Sequence, residues 1–231
     1  IANTNGYYSV SVVKKLIDLF ESCDTMEINE EFYEFLMEKL QCRPLQPTDT
    51  DIITYTFQNG LEVRVRESPN LISGLGTTGL RTWEASLYLA DYLMRPDVLA
   101  SIDADVLELG CGTGMVSISM LKNRAFHSGK LFITDGDSQL MERVNDNIKL
   151  NIDTSASITG NPNYEIRKLW WGEDYIPDSV HTVLAADVTY DASIIPDLIN
   201  VFNEGMSQGH VSTALVAATK RNEDTLAVWE R

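Results

Sequence analysis

Residues 104–114 read Ala-Asp-Val-Leu-Glu-Leu-Gly-Cys-Gly-Thr-Gly, a short apolar run that passes straight into three glycines at alternate positions. Val106 and Leu107 suit a strand covered on both faces. Gly110, Gly112 and Gly114 let the backbone turn sharply and approach a ligand closely before a helix begins near Thr113. A buried strand, a glycine turn and a helix in succession open a βαβ unit, so the fold class expected from this stretch is α/β. The dinucleotide fingerprint needs a glycine at the sixth position, and counting from Gly110 that position is Met115. The spacing here is Gly-x-Gly-x-Gly.

Glu108 precedes the first glycine by two residues and places a carboxylate at the strand's end. A carboxylate there repels a pyrophosphate and attracts a cationic amino-acid moiety. The expected cofactor is therefore S-adenosylmethionine, seated by Glu108 and by Gly110, Cys111 and Gly112 of the turn.

The rest of the chain supports a parallel sheet flanked by helices. Strands are expected at 105–109, 130–134, 164–169, 181–187 and 213–219, with helices over about 114–123, 137–151 and 192–204 and another from near Asn222. Upstream, Ile53, Tyr55 and Phe57 alternate with polar residues, as do Leu61, Val63 and Val65, and Asn59-Gly60 lies between the two runs. That pattern predicts a half-buried hairpin closed by a type I′ turn. Residues 8–21 and 30–40 carry apolar positions at helical spacing, with Asn29 placed to cap the second. Their stripes are expected to bury against each other or against the main domain. Pro44 and Pro47 mark a linker, which divides the chain into an N-terminal helical segment, 1–50, and a hairpin plus catalytic domain, 51–231. Gly74-Leu-Gly76-Thr-Thr-Gly79 matches the dinucleotide fingerprint formally. Residues 69–73 before it are too broken for a central strand, so it reads as a flexible approach to a helix over 83–94.

Composition narrows the function. Eighteen basic against 34 acidic residues give a formal charge of −16, which opposes nucleic-acid binding and suits a basic surface on a protein partner. Cys23, Cys42 and Cys111 are too far apart for a zinc site and odd in number, which fits a reducing compartment. There is neither a signal-peptide pattern near Ile1 nor a run of 18 apolar residues, so no membrane association is expected. The expectation is a cytoplasmic monomer. His127, His181 and His210 are scattered, and no metal-ligand cluster is visible.

Leu131-Phe-Ile-Thr-Asp135 is a strand ending in a carboxylate about 25 residues beyond the glycine turn, where a ribose diol would lie. A carboxylate can accept two hydroxyl bonds at once. Asp137 competes for that role but also suits a helix N-cap.

Val106 to Gly114 resembles the first motif of the seven-β-strand methyltransferases, which implies a Rossmann-like sheet. That fold adds a further helix and two closing strands, which are expected to be missing because the sequence given ends at Arg231. Lys168-Leu-Trp-Trp-Gly172 resembles the Trp-Gly element of the protein-lysine methyltransferase branch, which places Trp171 beside the adenine. Trp170, one residue earlier, is expected to face the core. Ala185-Ala-Asp-Val-Thr-Tyr190 carries the Asp-x-x-Tyr of the same branch, which implies a reaction centre at Asp187 and Tyr190. An aspartate there can orient a lysine ammonium and help remove its proton, while the tyrosine lines the methyl channel. Proline is absent at Val188 and Thr189, unlike in amino-methylating nucleic-acid enzymes. Residues 78–90 are most similar to the lysine methyltransferases that act on eukaryotic elongation factor 2. That likeness implies cofactor contacts from Trp83 and from the backbone of Ala186, and elongation factor 2 as the protein substrate. The rival readings are a small-molecule methyltransferase and a non-catalytic cofactor-binding scaffold.

Overall fold

The computed structural model describes residues 5–23, 27–74, 76–102, 104–123, 129–152, 163–220 and 223–229. Two helices lead, α1 (Gly6–Glu21) and α2 (Glu30–Glu38), followed by the hairpin strands β1 (Asp51–Thr56) and β2 (Glu62–Glu67). Next come α3 (Glu84–Leu93), a single turn α4 (Pro96–Leu99), β3 (Asp105–Leu109), α5 (Met115–Lys122), β4 (Leu131–Asp135) and α6 (Ser138–Asn151). The chain continues through β5 (Tyr164–Lys168), β6 (Val180–Ala186), α7 (Ile195–Ser207), β7 (Thr213–Ala217) and α8 (Glu223–Trp229). Asn222 and His127 lie outside the described residues.

The strands β3 to β7 form one parallel sheet in the order β5-β4-β3-β6-β7. Central β3 is sealed on both sides, and its alternation divides the core in two. Val106 packs toward α3, α5 and α6 with Leu89, Ile118 and Val144, whereas Leu107 and Leu109 pack toward α7 with Leu198, Val201 and Phe202. The strand order reverses beside β3. From there the chain first moves outward through β4 and β5, then returns to place β6 on the other side. Such a reversal opens a crevice at the carboxyl ends of the strands, where open α/β sheets hold their ligands.

The hairpin lies over this layer. Val63, Val65 and Glu67 of β2 are buried, and its outer edge is paired to a helix by two asparagines one turn apart. Asn151 accepts from Arg64 N at 2.8 Å and donates to Arg64 O at 2.6 Å, while Asn147 accepts from Arg66 N at 2.8 Å. Side-chain amides thus complete a strand edge that has no further strand beside it among the described residues. The connection differs from the expected two-residue turn. Gly60 N donates to Phe57 O at 2.9 Å, Phe57 N to Leu61 O at 2.8 Å, and of the Asn-Gly pair only Gly60 has positive φ, +82°. Three residues therefore make the link, with Gly60 as the left-handed bulge position and Asn59 accepting from Leu61 N at 2.9 Å.

Asn29 caps α2 as expected, accepting from Glu31 N at 2.9 Å. The two leading helices meet through Phe20 and Phe32, whose rings stand edge to face 5.8 Å apart. Helix α7 starts later than expected, because Asp191 ties down a turn by accepting from Ser193 N at 2.8 Å. No helix among the described residues is long and apolar enough to cross a membrane.

Candidate active site

A cavity of about 330 Å³ opens at the carboxyl ends of β3, β4, β5 and β6. Its floor is the glycine turn. Gly110, Gly112 and Gly114 have φ of +64°, +52° and +83°, which side-chain-bearing residues adopt only with strain. A Cβ at Gly110 would also stand 2.8 Å from Val188 Cγ1. Cys111 lines the cavity with its N–H donated to Thr134 O at 2.9 Å, and burial pushes its thiol pKa up, which keeps it protonated.

Asp135 is brought to the cavity at the end of β4. Its carboxylate accepts from Gly112 N at 3.0 Å and from Asp137 N at 3.2 Å, so it clamps the turn to the neighbouring strand. Burial raises its pKa, and those backbone donors oppose the shift. Each oxygen keeps a lone pair for a ligand hydroxyl. Asp137 also lines the cavity and caps α6, accepting from Gln139 N at 2.8 Å.

Trp171 lies in the wall with its ring edge 3.6 Å from where a Cβ of Gly110 would stand. Trp170, expected in the core, is 50 % exposed and lines the same cavity. Strand β5 ends at Lys168, so strict alternation no longer applies. Leu169 takes the buried position, and Trp170 N donates to Asp174 Oδ2 at 2.7 Å in the turn that follows.

Ala186 ends β6 at the cavity, and Asp187 follows it there. Asp187 has φ +57°, an uncommon conformation for any residue but glycine. Its N–H donates to Ala217 O at 2.8 Å, and its Oδ1 accepts from Thr219 N at 3.3 Å. The side chain is 8 % exposed, and Tyr190, 47 % exposed, stands at the rim. Trp83, at the N-cap of α3, also lines the cavity, its indole N–H donating to Thr78 O at 3.0 Å.

Glu108 is the one expected site residue that the structure keeps out of the cavity. It shares Val106's side of β3, is 2 % exposed, and accepts from Ser117 N at 3.0 Å and from the Ser117 hydroxyl. The carboxylate serves the first turn of α5, where the helix dipole favours negative charge. Burial pushes its pKa up to about 8, against the Ser117 donors and helped by nearby Asp135.

The segment read as a flexible approach is a wall. Gly79 lies 3.5 Å from where a Cβ of Gly112 would stand, and Thr82 Oγ1 shares a 2.8 Å hydrogen bond with Thr113 Oγ1. The cavity is also acidic beyond expectation, since among the described residues Asp135, Asp137, Asp187, Asp191 and Asp197 line it against one basic residue, Arg81. The sequence signal for this wall was the alternation from Leu80 to Trp83, which places Leu80 and Thr82 inward and Arg81 and Trp83 toward the cavity.

A parallel α/β sheet with a glycine turn and an acidic, tryptophan-walled cavity at its reversal point defines a small-ligand-binding enzyme of the Rossmann-like class. The family model described as lysine methyltransferase matches residues 71–228, and the chain belongs to that family. It is 34 % identical over 253 residues to protein-lysine N-methyltransferase EFM3 of Saccharomyces cerevisiae, covering 100 % of this chain and 74 % of the relative. To EFM3 of Chaetomium thermophilum it is 31 % identical, covering 94 % of this chain and 69 % of that one. To human protein-lysine N-methyltransferase EEF2KMT it is 30 % identical, covering 96 % and 68 %.

Proposed function

We propose that this protein transfers a methyl group from S-adenosylmethionine to a lysine of elongation factor 2. The observation that carries the cofactor reading is the charge of the cavity: five aspartates and one arginine suit a ligand bearing a sulfonium, an ammonium and a single carboxylate. A dinucleotide pyrophosphate would meet the wrong sign. The flat indole face of Trp171 and the ribose-facing carboxylate of Asp135 fit the nucleoside half. The substrate reading rests on the likeness of residues 78–90 and on similarity to EEF2KMT.

When bound, the cofactor supplies a methyl carbon that a neutral lysine amine can displace from sulfur, leaving a thioether. Asp187 holds the incoming ammonium beside the cavity and draws its proton away as the amine is released for attack. Its backbone bond to Ala217 and side-chain bond to Thr219 fix that carboxylate in place. Tyr190 at the rim flanks the entering side chain. Positioning dominates, since holding amine and methyl together is worth on the order of 7–11 kcal/mol at best.

The test is methyl-labelled S-adenosylmethionine with purified elongation factor 2 and, separately, a cell lysate. Label in a lysine of the factor is expected. Label in a different protein would overturn the substrate, and label only in small molecules would overturn lysine as acceptor. Cofactor binding without any transfer would point to a scaffold.

A further inference from the structure

We infer that Arg81 is the carboxylate anchor of the cofactor site, an assignment that rests on the S-adenosylmethionine reading. S-adenosylmethionine carries one anionic group, the carboxylate of its methionine moiety, and among the described residues the cavity lining offers one cationic side chain to meet it. Lys168, whose Nζ lies 5.4 Å from the Trp170 ring centre, is not among the lining residues. An acidic cavity attracts the sulfonium and ammonium but penalises the carboxylate, so that end of the ligand needs a local cation.

The chain around Arg81 is built to hold such a group still. Leu80 and Thr82 on either side are buried, with Leu80 O accepting from Ser68 N at 2.8 Å and Thr82 N donating to Glu67 Oε2 at 2.7 Å. Glu67 is itself fixed by Tyr55, whose hydroxyl donates to Oε1 at 2.8 Å. The guanidinium lies 4.5 Å from the centre of the Trp83 ring, and no ion pair to it forms among the described residues. Stacking leaves the planar fork's N–H groups free to point outward, and a fork matches a carboxylate with two parallel hydrogen bonds. A restricted side chain also loses less freedom when the ligand arrives.

The experiment compares two ligands by calorimetry: S-adenosylhomocysteine and its decarboxylated counterpart, which lacks only the carboxylate. Wild-type protein binds the first at least about tenfold more tightly, the range of one charge-assisted contact. Arg81→Met keeps a chain that can cover Trp83 but removes the charge. It loses about tenfold or more toward S-adenosylhomocysteine while its affinity for the decarboxylated ligand stays within about twofold, so discrimination collapses. Arg81→Lys restores part of the preference, and Lys168→Met leaves it intact. Equal losses toward both ligands in a folded Arg81→Met protein would overturn the assignment, leaving Arg81 as support for Trp83. So would unchanged discrimination. A wild-type protein that binds both ligands equally would remove the carboxylate anchor alone, whereas one that binds neither would remove the cofactor reading as well.

Discussion

Asp187 sits in the left-handed region at the end of β6, and asparagine is the residue that best shares its tolerance of that conformation. Asp187→Asn therefore removes the charge without adding backbone strain. Turnover should fall by about 10²-fold or more, with cofactor affinity within a few-fold and an unchanged melting temperature, because acid–base groups contribute at that scale. A lowered melting temperature with normal turnover would reduce Asp187 to a tie for Thr219. Trp171→Ala should weaken S-adenosylhomocysteine binding by about 1–3 kcal/mol if the indole covers the adenine, and calorimetry on the folded variant decides it. Glu108 makes a different claim. Its folded pKa of about 8 lies above the unfolded value of 4.5, so the unfolded chain loses this proton first. Stability from this group is full below pH 4.5 and declines as pH rises through the window up to 8. Relative to Glu108→Gln, wild type should lose on the order of 2–3 kcal/mol between pH 5.5 and 8, read from urea midpoints. A pH-independent gap between the two would mean that Glu108 ionises normally.

At the scale of elements, the hairpin is a buttress for the glycine turn. Asn147 accepts from Arg66 N on β2 and donates to Thr113 O in the turn at 3.0 Å, joining two segments through one buried amide. Asn147→Ala should destabilise the fold by about 1–3 kcal/mol, the range for unpaired buried backbone groups, and weaken cofactor affinity besides. Asn151→Ala, whose side chain bonds Arg64 of β2, Asn147 O and Lys122 but no residue of the glycine turn, should cost stability with cofactor affinity preserved. If both variants left affinity unchanged, the hairpin would be a cover and no more. The buried strands were legible in the sequence to within a residue or two because parallel strands sealed on both faces read as apolar runs. The glycine turn was legible for a similar reason, since few other residues reach those φ values. Glu108 and Trp170 were placed on the wrong sides for two reasons. Glu108 lies with Val106 on the face covered by α3, α5 and α6, where Ser117 of α5 takes up its carboxyl group. Trp170 lies past the end of β5, where alternation stops. The wall at 76–83 was read as a flexible approach because its only local signal is the short alternation from Leu80 to Trp83, while its pairing with Gly112 and Thr113 joins positions about 30 residues apart.

For the whole molecule, the formal charge of −16 adds to the acidic cavity to create a field that favours a basic partner surface around the target lysine. Such a field acts on encounter more than on the docked complex, because exposed charges beyond about 8–10 Å are screened at physiological salt. The association rate with elongation factor 2 should therefore fall severalfold as ionic strength rises from about 10 mM to 150 mM, while the dissociation rate changes little, as surface plasmon resonance can separate. Binding of S-adenosylhomocysteine, an internal contact, should respond far less over the same range. A salt-independent association rate would assign the acidic surface to solubility, and a salt effect confined to dissociation would place the charge contacts inside the docked interface.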